Sequence, residues 1–156
     1  MDFHRHGENT LDLRSRVVSE ARRWIGTPYI HQASALDAGA DCLGLIRGVW
    51  RACIGPEPCQ PPAYTKDWSE ASGEEVLMAA ADLLLRRYEG AMLSGHVLLF
   101  RMRDGSVAKH LGIVSQTGPE VRFIHAYSGH GVLESTLSDP WKKRIAHVYE
   151  FPEGAI

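Results

Sequence analysis

Cys42, His110 and His125 are residue types that can together break an amide bond. A cysteine thiolate attacks a carbonyl carbon, one histidine takes and returns the proton, and a polar group on its far nitrogen fixes its tautomer. Cys42 lies in GADCLGLIRGVW, residues 39 to 50, where an apolar pattern of helical period runs on through Leu45, Ile46, Val49 and Cys53. Asp41 suits an N-cap, which places the thiol at a helix N-terminus. Unpaired amides and the helix dipole are expected there to lower its pKa below the ordinary value of about 8.5. An amide of the same turn could bind an oxyanion. His110 in AKHLGIVSQ alternates onto a strand face with Gly112 and Val114, and His125 in VRFIHAYS shares a face with Val121 and Phe123. Pairing of these strands through the TGPE turn would let both imidazoles point at the layer holding the cysteine helix. Blander readings stand beside this one: a cysteine as a small buried hydrophobe, a strand histidine as a core or surface residue.

The elements that must position these groups can be read in chain order. Residues 1 to 9, MDFHRHGEN, read as a polar, mobile terminus in which His4 and His6 are solvated. A helix is predicted from Thr10 to Ile25, with Leu13, Val17, Ala21 and Trp24 on its inner face and Gly26 and Pro28 ending it. Gly44 and Gly48 share one face of the cysteine helix and predict close approach to a neighbouring layer. The proline-rich stretch GPEPCQPPAYT, residues 55 to 65, reads as loop. A third helix is predicted over about Glu74 to Tyr88, with Val76, Leu77, Ala80, Leu84 and Tyr88 near one face. From Gly90 on, HVLLFRMR, HLGIVSQ, VRFIHAYS, GVLES and RIAHVYEF read as short strands. Helices followed by strands predict an α+β class with a C-terminal antiparallel sheet.

The 156 residues suit a single domain. A net charge of −2 gives no electrostatic attraction to nucleic acid or anionic lipid. Cys42, Cys53 and Cys59 form no CxxC pair, which argues against a disulfide framework and fits a reducing compartment. No zinc-ligand spacing occurs, so neither a metal nor another cofactor is expected. The chain opens without a signal-peptide pattern and shows no membrane-spanning segment, so delivery beyond the cytoplasm would need another route.

The motif order resembles the NlpC-type cell-wall cysteine peptidases, a papain-like family of bacteria and phages. The residues that carry the likeness are GTPY at 26 to 29, DCLG at 41 to 44, GHVLLF at 95 to 100, HLGIV at 110 to 114 and FIHA at 123 to 126. The resemblance implies a papain-like α+β fold with Cys42 as nucleophile, His110 as base and His125 as the orienting residue. It implies substrate-side roles for Tyr29, Asp41 and Leu43, with Tyr29 matching a tyrosine whose hydroxyl reaches the active site; packing under the cysteine helix is the other reading of Tyr29. The substrate class it implies is the peptide stem of peptidoglycan, commonly cut between D-glutamate and a diamino acid through a thioester. Leu43 stands where the family usually has serine, and His96 where it has aspartate; both departures bear on specificity. RGVW after the cysteine motif and HAYSGHGVLES near the end resemble compact members found with phage-tail or gene-transfer-agent genes. That likeness implies tail-protein partners and an enzyme carried on a particle.

Two other functions remain open: a papain-like acyltransferase or amidase acting on a different substrate, and an inactive structural tail or cell-wall-binding module.

Overall fold

The structure is a computed structural model that describes residues 3–61, 63–66, 68 and 72–153, with side chains described from Leu11 onward. Helix α1 (Phe3–Arg23) buries Leu13, Val17 and Ala21, and Trp24 follows them into the core. It starts before the predicted Thr10, and the side chains of His4 and His6 lie outside the described residues. A small hairpin, β1 (Ser34–Ala35) with β2 (Gly39–Ala40), leads into α2 (Cys42–Cys53). Helix α3 (Val76–Leu84) is shorter than predicted, because Leu85 turns extended and β3 (Arg86–Arg87) follows. Of the face expected for α3, Leu77 is buried, and Ala81 rather than Ala80 joins it.

The remaining strands are β4 (Val97–Arg101), β5 (Ala108–Gln116), β6 (Arg122–Tyr127), β7 (Gly131–Thr136) and β8 (Ile145–Glu150). A short helix, α4 (Asp139–Lys143), precedes β8 and was not expected from the sequence. The sheet is antiparallel in the order β3-β8-β4-β5-β6-β7. Strands β5 and β6 are neighbours, as the turn between them predicted.

Period-two alternation divides the sheet residues between two apolar clusters. Val97, Leu99, Leu111, Ile113, Ile124 and Ala126 pack with Leu45, Ile46 and Val49 of α2 and with the inner face of α1. Leu98, Phe100, Val114 and Phe123 face the other way and are covered by Leu137 and Trp141. The two glycines of α2 permit close approach of its neighbours: a Cβ at Gly48 would enter the Trp24 ring, and one at Gly44 would overlap the Ala33 carbonyl oxygen of the preceding loop. Among the described residues, no helix is long and apolar enough to cross a membrane.

Candidate active site

Asp41 fixes the start of α2. Its backbone is extended, and its Oδ1 accepts the Gly44 N–H at 2.7 Å, which caps an otherwise unpaired amide of the first turn. Its Oδ2 accepts the Gln32 N–H at 2.7 Å and the Tyr64 hydroxyl. The Asp41 carboxylate is buried and committed to these three donors. It therefore shapes the loop and the helix end beside Cys42.

The loop before the cysteine is tied to the far edge of the sheet. Gly26 N–H donates to the Val132 carbonyl at 2.9 Å, and Val132 N–H donates to the Thr27 carbonyl at 2.9 Å. Gly131 makes this approach possible: its φ of +75° suits glycine, and an added Cβ would lie 2.7 Å from the Thr27 oxygen. Tyr29 is thereby held beside Ala40, where it lines an open cleft of about 540 Å³.

Cys42, His110, Tyr29, Asp41 and His31 line that cleft together with Tyr64, Trp68, Met102, Lys109 and Tyr127. Cys42 is buried at the helix N-terminus with Sγ 3.9 Å from the Lys109 carbonyl oxygen. Lys109 falls where the β4–β5 register slips: Phe100 pairs with His110, while Arg101 pairs with Ala108. Such a bulge bends a strand and re-aims its side chains.

His110 Nε2 lies 2.8 Å from His125 Nδ1, and His125 Nε2 lies 3.0 Å from Ser135 Oγ. The expectation that both imidazoles point at the helix layer is corrected here. The rings belong to the opposite face of the sheet, among Phe100, Phe123 and Trp141. Alternation requires this, because Leu111 between Phe100's partner and Gly112 packs toward α2. Cys42 and His110 nonetheless line one cleft, with Cys42 Sγ at the carbonyl of Lys109 in the bulge.

The proton affinities differ from expectation as well. Burial, followed by the neighbouring Asp41 charge, pushes the Cys42 thiol up to about 12, although nearby backbone amides act the other way. The helix terminus alone does not win against desolvation. Burial and the proximity of His125 pull His110 down to about 3, and burial and His130 pull His125 down to about 4. Burial and the Cys42 and Asp41 charges raise the Tyr29 hydroxyl to about 12. Burial thus works against the charged form of each of these groups taken singly.

Leu43 is also placed differently. Its buried side chain turns from the cleft to line a separate apolar pocket of about 470 Å³ with Ile46, Trp50 and Leu77. His96 likewise lies away from the cleft: its Nδ1 accepts the Leu93 N–H at 3.0 Å in a buried turn, and Tyr88 packs on its ring. An acceptor side chain is what that turn needs, which an imidazole supplies as a carboxylate could.

Sequence reasoning missed several cleft and supporting residues. Tyr64 comes from the proline-rich loop and stacks on Trp68 at 4.0 Å between ring centres, with His31 edge-on to it. Ser135 and Trp141 complete the surroundings of the histidine pair. A tyrosine and a tryptophan close together in an otherwise irregular loop were the available signal for the first two; hydrogen bonding at Ser135 had none. Among the described residues, no group of three or more His, Cys, Asp or Glu side chains is arranged to hold a metal ion.

No family model matches the chain. The sequence is 28% identical over 135 residues to the murein DD-endopeptidase MepS/murein LD-carboxypeptidase of Escherichia coli, covering 86% of this chain and 61% of that protein. It is 30% identical over 136 residues to the gamma-DL-glutamyl hydrolase of Bacillus subtilis, covering 86% of this chain and 29% of that one. The chain therefore spans about three fifths of the first relative and under a third of the second. Among solved structures, an NLP/P60-family lipoprotein homologue from Staphylococcus aureus aligns over 92% of this chain and 42% of its own, with a TM-score of 0.59 at 18% identity. The NlpC/p60 domain of the peptidoglycan hydrolase SagA aligns over 88% of this chain and 98% of its own, with a TM-score of 0.55 at 21% identity. The chain thus has the papain-like α+β fold of NlpC/P60 domains and is similar in sequence to a murein endopeptidase.

Proposed function

We propose that the chain is a single cysteine peptidase domain that hydrolyses amide bonds in the peptide stems of peptidoglycan. The observation that carries the reading is the shared cleft of Cys42 and His110, with His125 hydrogen-bonded behind the second. Because Nε2 of His110 is engaged with His125, Nδ1 is the nitrogen that serves the cysteine. Neither the thiolate nor the imidazolium is favoured by itself in this buried site. The thiol proton moves to His110 Nδ1 as Sγ bonds to the substrate carbonyl carbon. Amide N–H groups of the Cys42 turn receive the oxyanion that develops. His110 then returns the proton to the leaving amine as the C–N bond breaks, which leaves a thioester on Cys42. Water, deprotonated by His110, attacks that thioester and releases the acid and the free thiol.

The bond we propose is the one between D-glutamate and the diamino acid. Support comes from the motif resemblance and from similarity to a gamma-DL-glutamyl hydrolase. Incubation with purified muropeptides, followed by mass spectrometry, should give stem fragments divided at that bond. Fragments divided elsewhere would reassign the bond, and intact muropeptides would overturn the substrate class. We also propose that the domain works with phage-tail-like proteins, on the likeness of RGVW and HAYSGHGVLES to the particle-associated members. Purified particles lacking the protein would contradict this.

A further inference from the structure

The bulge that brings the Lys109 carbonyl against Cys42 lies at the open end of the β4–β5 hairpin, where little of the ladder is left to hold it. Phe100 pairs with His110 and Arg101 with Ala108, so Lys109 is the extra residue of β5. Residues 102–107 connect the strands outside the ladder. A bulge interrupts a ladder and leaves backbone groups to find other partners. Arg101 N–H finds the Arg144 carbonyl at 2.8 Å, on the β8 side. Ala108 is fully buried, so its N–H also needs an acceptor.

Glu75 supplies that acceptor from another element. Its Oε2 accepts the Ala108 N–H at 3.1 Å, 33 residues away in sequence. Its Oε1 accepts from Arg101 Nη1, which also donates to the Ser106 carbonyl at 2.8 Å. One carboxylate thus joins both strands at the bulge and, through Arg101, the turn beyond it. The direction of each bond is fixed, since amide and guanidinium can only donate here and carboxylate and carbonyl oxygens can only accept. Glu75 occupies the N-cap position of α3, where a side-chain oxygen commonly serves its own helix. Among the described residues it caps no amide of α3; its carboxylate is spent on β4 and β5 instead.

The bulge carries part of the site. The Lys109 carbonyl lies 3.9 Å from Cys42 Sγ, His110 is the next residue, and Met102 and Lys109 both line the cleft. We infer that Glu75 is a positioning residue, whose carboxylate pins the Lys109 bulge and so holds the Lys109 carbonyl and His110 in place against Cys42. This rests on the proposed catalytic roles of Cys42 and His110. Glu75 itself touches no reacting atom.

The other end of α3 provides a control. Asp82 binds Arg87 at 2.8 and 2.9 Å and accepts the Tyr149 hydroxyl at 2.7 Å, and none of these bonds reaches the bulge. The Glu75 and Asp82 side chains are 33% and 39% exposed, so loss of either ion pair should leave the chain folded.

The test compares Glu75→Ala and Asp82→Ala with wild type in the full chain, by muropeptide turnover and by proton–nitrogen NMR of the backbone amides. Glu75→Ala should lower kcat about 10- to 100-fold with KM within about twofold, as displacement of a reacting group by up to about 1 Å would. Asp82→Ala should keep kcat within about twofold of wild type, since it removes no interaction at the bulge. The Ala108 amide proton should shift upfield in Glu75→Ala as its charged acceptor is lost, and the Lys109 and His110 amides should move with it. In Asp82→Ala all three should match wild type. Equal kcat in the two variants, or unmoved Ala108, Lys109 and His110 signals in Glu75→Ala, would overturn the inference. A wild type that leaves muropeptides intact would instead sink the peptidase reading, and the amide signals alone would then decide whether Glu75 holds the bulge.

Discussion

Gly44→Ala tests whether the cysteine helix is positioned by backbone contact. In an open helix this change would add about 1 kcal/mol of stability through propensity. Here the new Cβ would overlap the Ala33 carbonyl oxygen, with the Asp41 carboxylate 3.1 Å away. That carbonyl cannot retreat freely, because it accepts the Asp41 N–H at 3.3 Å and the Ser34 hydroxyl of the same hairpin donates to the Gly44 carbonyl at 2.6 Å. Overpacking costs about 1–3 kcal/mol, and loss of the Asp41 hydrogen bond costs about 1 kcal/mol more. Set against the propensity gain, the net expectation is a loss of about 1–3 kcal/mol. The shift falls on the residue beside Cys42, and misplacement by about 1 Å can cost about 10² in rate. Urea unfolding measures the first quantity and muropeptide turnover the second. A Gly44→Ala protein as stable as wild type, with undiminished turnover, would refute the argument.

Acid should destabilise the fold earlier than carboxylate titration would. His96, His110 and His125 are held at about 4, 3 and 4, below the value of about 6.5 in an unfolded chain. The unfolded chain therefore takes up protons first, and stability falls as pH drops from about 6.5 toward 4. At pH 5 each buried histidine accounts for about 2 kcal/mol, so the three approach the 5–15 kcal/mol of a whole domain. Urea titrations at pH 7, 6 and 5 should show this slope, with His96→Asn removing about a third of it; equal stability at pH 7 and 5 would be inconsistent with neutral buried imidazoles. Turnover should be nearly abolished in His110→Ala and reduced less in His125→Ala, since an orienting group is partly replaceable; the reverse ranking would exchange their roles.

Much of this arrangement was legible because the physics is local. Asp41 before an apolar helical pattern specifies a cap, and alternating strands around a short turn specify that β5 and β6 pair. Leu13, Val17, Ala21 and Trp24 are all buried, as their spacing required. What was not legible depends on contacts distant in sequence. The sheet face of His110 is fixed by which side α2 covers, and alternation alone leaves that choice open. The thiol's proton affinity depends on burial by the whole fold, which outweighs the helix end. Tyr64 reaches Asp41 across a proline-rich loop whose path no periodicity describes, and the diagonal reach from His125 to Ser135 follows from register.

The proposed reaction depends on Cys42 as its nucleophile. The most direct measurement compares muropeptide cleavage by wild type and by Cys42→Ala at equal concentration, with folding of both checked by circular dichroism. Wild type should yield stem fragments and the variant none above background. Fragments formed by Cys42→Ala at a rate near that of wild type would contradict it.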